Sequence, residues 1–231
     1  MIQFRISCFV SLSMISLVVL GCKKDISKPL SLDASISKDE LRYIDSDDSK
    51  VYEVQHIVHD DEVDKHDTIT YLLKQEVYDT FIDNSNTINK VVNYYKFDSF
   101  SSSWVFYKKG TLSIMGNSWV KKLDNISRVA LKFPFSTSIN WNAFPYNDIP
   151  PVQLMYKQLH QKISLSGVEY DSTLTIGATP FYTLVDFKKQ FEIYAKNKGM
   201  IYSYYKDLII RNFDTLNVRL GEEWYYTLKN K

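Results

Sequence analysis

The feature that most constrains the fold is a run of short strand patterns separated by gaps of hairpin length. In Val51–Val58, one set of alternate side chains is mainly apolar and the other is mixed, which is typical of a half-buried strand. Residues 68–81 are rich in Thr, Tyr, Val and Ile, and the cluster Asp83–Asn86 that follows them is a turn signal. The chain has 17 Tyr, 13 Phe and 4 Trp against 7 Gly, a balance that favours pleated strands and disfavours glycine-rich phosphate-binding folds.

The rest of the chain repeats this pattern. Ser166-Gly167 is a hairpin signal, and residues 186–196 fit either a short helix or a strand. Strands are predicted over residues 89–97, 105–107, 112–115, 118–122, 128–135, 153–164, 168–176, 200–210 and 224–228. Because no strong helix separates these segments, parallel βαβ topology is disfavoured. The sequence predicts a mainly β fold with few short helices: a single antiparallel, strongly curved sheet or a half-open barrel.

The N-terminus has the pattern of an export signal. Arg5 precedes an apolar run, Ile6–Leu20, which as a helix would reach only about 22 Å against the ~30 Å hydrocarbon core of a bilayer. The run ends in Val19-Leu20-Gly21-Cys22, which resembles the bacterial lipobox, although Leu20 departs from the small residue usual at that place. We therefore expect residues 1–21 to be a lipoprotein signal peptide and Cys22 to be acylated. An ordinary signal peptide and an uncleaved signal anchor are the alternatives.

The cysteine count supports acylation. Only Cys22 of the two cysteines would remain after cleavage, so no internal disulfide could form, and acylation accounts for the unpaired thiol. The membrane is then the first expected partner, through the lipid on Cys22. Lys23 stands where an Asp retains proteobacterial lipoproteins at the inner membrane, so the outer membrane is favoured. A domain facing the periplasm is expected, with the cell surface as the alternative.

Charge excludes one class of partner. Removal of Arg5 with the signal peptide leaves 27 of the 28 basic residues against 27 acidic ones, so the mature side chains balance. Proteins that bind nucleic acids usually carry a clear basic excess, so we expect this chain to have no nucleic acid partner. Residues 23–50 are polar and rich in Ser and Asp, and we expect residues 22–50 to form the lipidated cysteine and a flexible tether, with a short helical turn near Asp39–Tyr43. The alternative is an N-terminal strand within the β domain, which is predicted over residues 51–231.

Three phrases resemble a known group of proteins. These are Leu131-Lys132-Phe133-Pro134, Trp141-Asn142-Ala143-Phe144 and the longer phrase 191–202 with its Glu-Ile-Tyr-Ala and Gly-Met-Ile-Tyr. Together they resemble uncharacterised lipoproteins of Bacteroidota. The resemblance implies an exported location and a β-rich fold, and it implies no activity. The chain departs from the group in lacking the Gly-Asn pair that commonly follows Trp-Asn, and in having Lys198 where an apolar residue is usual.

The loop 136–151 holds the best candidates for ligand binding. Trp141, Phe144 and Tyr146 lie among prolines and not at strand spacing, and such residues form stacking platforms for sugars, apolar pockets and protein hot spots. The alternative is that the loop folds back and closes the open end of the sheet with its own aromatic rings.

Candidates for chemistry are weaker. His56 and His59 would point to opposite faces of one strand, so the polar segment 56–67 is interpreted as a solvated hairpin and not as a metal site. There is no Gly-x-Ser-x-Gly motif, and His160 lies in mid-strand. No catalytic residue, metal or cofactor is assigned. The favoured function is non-catalytic binding of an apolar, glycan or protein ligand, or a role in envelope assembly. The alternative is a hydrolase acting on envelope glycans or lipids.

Overall fold

The computed structural model describes residues 36–44, 49–63 and 65–229. The predicted signal peptide and Cys22 lie outside the described residues. Within the described part of the chain, no helix is long and apolar enough to cross a bilayer.

The described residues form one antiparallel sheet, nearly closed into a barrel with one unsealed seam, and the predicted fold class is confirmed. One short helix, α1 (Lys38–Leu41), precedes it, and a 3-10 turn covers Asp61–Val63. The strands are β1 (Ser49–Asp60), β2 (Lys65–Ile82), β3 (Ile88–Asp98), β4 (Ser103–Met115), β5 (Ser118–Leu123), β6 (Ile126–Lys132), β7 (Asn140–Asn142), β8 (Gln153–Leu165), β9 (Val168–Ala178), β10 (Phe181–Tyr182), β11 (Asp186–Ala195), β12 (Gly199–Arg211) and β13 (Asp214–Leu228).

The strand order brings the two ends of the domain together. The order is β6-β5-β4-β3-β2-β1-β13-β12-β11-β9-β8-β7, and β10 pairs with β11. Because β1 pairs with both β2 and β13, the first and last strands are neighbours in the middle of the sheet. The ambiguous segment 186–196 is therefore a strand, since its backbone hydrogen bonds go to β9 and β12.

Side chains alternate between the two faces as the sequence pattern predicts. Tyr52 and Val54 are buried on the inner face, whereas Glu53 and Gln55, which alternate with them, are exposed. Direct partners across antiparallel strands share a face, so Tyr226 opposite Val54 and Leu73 opposite Tyr52 also point inward. The inner face of the barrel is thus rich in tyrosine.

The loop after β6 bridges the seam between β6 and β7. The Val129 amide donates to the Ala143 carbonyl at 2.8 Å, and the Trp141 indole Nε1 donates to the Val129 carbonyl at 3.0 Å. Asn147 and Ser127 exchange two further hydrogen bonds, of 2.6 and 3.0 Å. These contacts join the two edge strands with side chains and loop backbone in place of a regular ladder.

Residues 36–44 differ from the expectation of a flexible tether, because they are folded onto the barrel. Ser37 and Glu40 form a capping box that starts α1, and the other Glu40 oxygen accepts the Phe135 amide at 2.8 Å. Tyr43 is fully buried, and its hydroxyl lies 2.6 Å from Ser172 Oγ and 2.9 Å from His160 Nδ1. The helical turn expected near Asp39–Tyr43 thus carries the Tyr43 side chain into one end of the barrel.

The antiparallel order places alternate turns at opposite ends of the barrel. Tyr43 and α1 lie at the end that holds the β11–β12 turn, where the Asn197 amide donates to the Arg42 carbonyl at 2.6 Å. We call this the closed end. The β5–β6 turn at Asp124 lies at the other end, which we call the open end.

Candidate functional site

The inner face of the barrel lines a cavity of about 380 Å³, open to solvent, that borders the β5–β6 turn, and we call it the barrel cavity. Its size falls in the range of about 300–1,000 Å³ found for small-molecule sites. Strands from both halves of the barrel contribute to its wall. The apolar and aromatic part of the wall consists of Tyr52, Leu73, Tyr94, Leu123, Ile126, Phe144, Met200 and Tyr226.

The charged part of the wall has more cations than anions. Four basic residues face two acidic ones: Lys108, Lys121, Lys122 and Arg128 against Asp124 and Glu192. A wall of this kind attracts an anionic group, and a cavity of low dielectric strengthens that attraction.

An ion pair crosses the interior of the barrel. Arg128 Nη1 lies 2.7 Å from Glu192 Oε1, and the two side chains are only 22% and 12% exposed. Tyr194 donates to the other Glu192 oxygen at 2.7 Å. Burial raises the pKa of the Glu192 carboxyl, but the charges of Arg128 and Lys121, together with the hydrogen bonds from Tyr194 and Arg128, outweigh it. The net pKa is therefore lowered, and Glu192 is a carboxylate at neutral pH. A second cavity of about 290 Å³ shares four wall residues with the first: Arg128, Phe144, Glu192 and Ser203. The ion pair therefore borders both cavities.

Tyrosine rings and lysines alternate from the barrel cavity towards solvent. Lys96 Nζ lies 4.4 Å from the centre of the Tyr71 ring and 4.0 Å from that of Tyr107, and Lys108 Nζ lies 5.0 Å from Tyr107 and 5.9 Å from Tyr94. We call these five residues the tyrosine–lysine ladder. Tyr94 and Lys108 also line the barrel cavity, whereas Tyr107 is 45% exposed. The ladder therefore connects the cavity with the surface.

A β-bulge shapes the ladder. The register between β3 and β4 shifts between Tyr94 and Tyr95, whose partners are Lys108 and Phe106. Tyr107 is the extra residue, so it approaches the ladder together with its neighbour Lys108, although strand neighbours normally point to opposite faces.

Two of the ladder residues, Lys108 and Tyr71, have shifted pKa values. Burial lowers the pKa of Lys108, and nearby Lys96 lowers it further, while Asp124 opposes the change. Burial, with the neighbouring Tyr107, raises the pKa of Tyr71 to about 12. Tyr71 therefore stays protonated and can donate a hydrogen bond, and the half-buried ammonium of Lys108 is stabilised by any anion placed beside it.

The three residues predicted to bind a ligand are separated by the fold. Trp141 is buried, and its indole N–H donates the hydrogen bond to Val129 across the seam. Tyr146 is exposed, and Phe144 alone lines the barrel cavity. Ligand binding by this loop stays a prediction, and Phe144 is the member of the set placed to contact a molecule inside the barrel.

The histidines of the polar segment lie on opposite faces, as expected. His56 stacks on Trp224, with ring centres 3.6 Å apart, while His59 Nδ1 lies 3.1 Å from His66 Nδ1 and His59 Nε2 lies 3.0 Å from Glu223 Oε1. Among the residues that the structure describes, no group of three or more His, Cys, Asp or Glu is arranged to hold a metal ion.

Sequence reasoning missed Lys96 and Lys108 as site residues. Each lies in an ordinary strand segment, and neither belongs to a motif. The Lys-Lys pair at 108–109 was the available signal, because two adjacent cations in a strand place at least one on the inner face unless a bulge intervenes.

Comparison with known proteins gives few relatives. No family model and no curated protein matches the chain. Among solved structures, a candidate lipoprotein from Parabacteroides distasonis ATCC 8503 matches with a TM-score of 0.37 and 10% identity, over 81% of this chain and 98% of that one. A candidate exported protein from Bacteroides fragilis NCTC 9343, described as having a YmcC-like fold, matches with a TM-score of 0.34, the same identity and the same coverage.

Proposed function

We propose that this chain is an exported lipoprotein, held to the outer membrane by acylated Cys22, whose barrel binds a ligand with an apolar part in the periplasm without chemical change. The barrel cavity carries this proposal, because it combines a suitable volume, an apolar and aromatic wall and a path to solvent. A binding role needs such a concavity, whereas a hydrolase would depend on convergent acid, base or nucleophilic groups.

The construction of the wall supports binding of an apolar group. Leu73, Phe144 and Met200 come from three distant parts of the chain and all face the same cavity. Burying apolar ligand surface against them is worth roughly 25 cal/mol per Å². Ser203 also lines the cavity and offers a small hydroxyl where a larger side chain would fill the space.

The place where the chain enters the barrel supports an orientation in which the open end points away from the membrane. Residues 36–44 pack at the closed end, so a chain anchored at Cys22 reaches the barrel there. Fourteen residue steps separate Cys22 from Ile36, about 46–50 Å when fully extended. The open end is then on the side away from the attachment and is accessible from the periplasm.

The anchor is tested by replacing Cys22 with Ser and separating soluble from membrane fractions. We expect the variant to leave the outer membrane fraction and to become soluble in the periplasm. Unchanged membrane retention would refute the lipoprotein assignment. Mass spectrometry of the wild-type N-terminal peptide should show a cysteine carrying acyl chains.

Ligand binding is tested with the full chain carrying Cys22→Ser, whose own lipid cannot occupy the cavity. The neutral probe N-phenyl-1-naphthylamine should bind with a stoichiometry near one and an increase in fluorescence. Ser203→Leu, which fills the cavity, should abolish this signal, whereas Ser164→Leu at an exposed position should leave it intact. No probe binding to the wild-type barrel, or equal binding to both variants, would contradict the proposal.

A further inference from the structure

We infer that the ligand of the barrel is an anionic amphiphile, with its alkyl chain in the barrel cavity and a single phosphate or carboxylate group at the tyrosine–lysine ladder. The inference rests on the proposed binding function and adds the chemical class of the ligand. It follows from the arrangement of Lys96 and Lys108, for which the structure provides little internal compensation.

The first observation concerns the surroundings of Lys96. Its ammonium lies between the rings of Tyr71 and Tyr107, at 4.4 and 4.0 Å from their centres. Across residues 36–44, 49–63 and 65–229, no carboxylate lies within 4.0 Å of it. Among the described residues, this half-buried ammonium is therefore held by aromatic rings and not by an opposite charge.

The second observation concerns the weak ion pair of Lys108. Its carboxylate partner, Asp124, is 3.9 Å away and 68% exposed, which makes the pair weak and easily opened. Both Lys96 and Lys108 lie within 5.0 Å of the centre of the Tyr107 ring, so one anionic group beside this ring can approach both ammonium groups.

The lysines and the apolar wall belong to one site. Lys108 and Tyr94 line the barrel cavity and are also members of the ladder. A molecule whose chain extends among Leu73, Met200 and Phe144 would therefore bring its polar end to the ladder. The tyrosine hydroxyls add neutral hydrogen-bond donors to the two charges, a combination that suits a phosphate or carboxylate group.

The experiment compares three compounds that separate the head group from the chain. They are dodecyl phosphate, dodecyl maltoside and inorganic phosphate. Each is tested for displacement of N-phenyl-1-naphthylamine from the Cys22→Ser chain, and the two detergents are kept below their critical micelle concentrations. We expect dodecyl phosphate to displace the probe at about tenfold lower concentration than dodecyl maltoside, since hydrogen bonds to charged groups contribute about 1.5–3 kcal/mol. Inorganic phosphate alone should not displace it.

The lysines are tested by double substitution. Lys96→Met with Lys108→Met should remove the preference for dodecyl phosphate. The preference is measured within each variant as the ratio of the two displacing concentrations, so that it does not depend on how tightly that variant binds the neutral probe. Lys109→Met is the matched control, because Lys109 is adjacent to Lys108 and lies 5.6 Å from the exposed Tyr78 ring. The corresponding Gln variants preserve polarity if the Met variants fold poorly.

The outcomes distinguish the two proposals. If the probe does not bind, the binding function itself fails. If the probe binds but dodecyl maltoside competes as well as dodecyl phosphate, the barrel accepts a neutral lipid or glycolipid and the anionic class is overturned. An unchanged phosphate preference in the double variant would equally overturn the role of the ladder.

Discussion

The closed and open ends of the barrel use aromatic side chains in opposite ways. At the closed end Tyr43 is fully buried, packs edge-on against Phe135, and has its hydroxyl satisfied by Ser172 and His160. At the open end Tyr107 is about half exposed and contacts two lysine ammonium groups. The same residue type thus contributes packing in one place and an accessible polar surface in the other.

This contrast separates a binding site from a core when both are rich in aromatic residues. A core tyrosine finds its hydrogen-bond partner within the fold, and the cost of its burial is offset there. The open end instead concentrates cations with weak internal partners, which costs stability and is retained where it serves binding. Substitutions at the two ends should therefore differ in the size of their effect on stability and, at Lys108, also in its sign.

The largest effect is expected at the closed end. Tyr43→Ala should lower the free energy of unfolding by about 4 kcal/mol, because it leaves a large cavity and removes the hydrogen bonds of the Tyr43 hydroxyl. Tyr107→Ala at the open end should cost about 1 kcal/mol or less. Urea denaturation of both variants measures the difference, and equal losses would break the distinction between the two ends.

The interior ion pair comes next. Glu192→Gln should lower the free energy of unfolding by about 3 kcal/mol, since it leaves the Arg128 guanidinium buried without a counter-charge. Glu169→Gln, in the exposed pair with Lys162, is the matched control and should cost about 0.5 kcal/mol or less.

The same pair determines a pH dependence. The pKa of the Glu192 carboxyl is lowered in the folded state, so its stabilisation is complete above the ordinary value of 4.5 and is lost as the pH falls through the lowered value. Unfolding curves between pH 7 and pH 3 should therefore show a steeper loss of stability in the wild type than in Glu192→Gln. Parallel curves would contradict the assignment.

Substitution in the seam between β6 and β7 should have a smaller effect on stability. Trp141→Phe keeps most of the buried ring but removes the donor to the Val129 carbonyl, at an expected cost of about 1–2 kcal/mol. Trp104→Phe, on a half-buried indole that packs on Phe97, should change stability by less. Thermal unfolding of the two variants provides the measurement.

The smallest effect should have the opposite sign. Lys108→Met is expected to leave stability unchanged or to raise it by up to about 1 kcal/mol, because burial lowers the pKa of the ammonium in the folded state. The wild type should gain stability as the pH rises through that lowered pKa towards 10.5, and the variant should not. A clear loss of stability in the variant would show that Lys108 is structural.

Much of the fold was predictable from local pattern. The period of two in Val51–Val58 and the turn signals at Asp83–Asn86 and Ser166-Gly167 place strands and hairpins because each depends on nearby residues alone. The segment 186–196 stayed ambiguous because its apolar spacing suits both a helix and a strand. Only pairing with β9 and β12 resolved it.

The candidate site was less accessible to sequence reasoning. Trp141 is conspicuous in a proline-rich loop, yet it is buried in the seam, while Phe144 reaches the barrel cavity. Lys96 and Lys108 are inconspicuous in the sequence, and they meet because of strand register and a bulge at Tyr107. Neither register nor bulge is encoded in a short motif.

Local sequence accounts for the β class and the hairpin order, because both depend on residues close together in the chain, and it predicts an export signal over residues 1–21. The packing of the whole sheet places Tyr43 at one end, the Trp141 loop across the seam, and Lys96 and Lys108 at the other end. These features depend on sheet curvature and strand register, which bring together residues up to 129 positions apart and so leave no local trace.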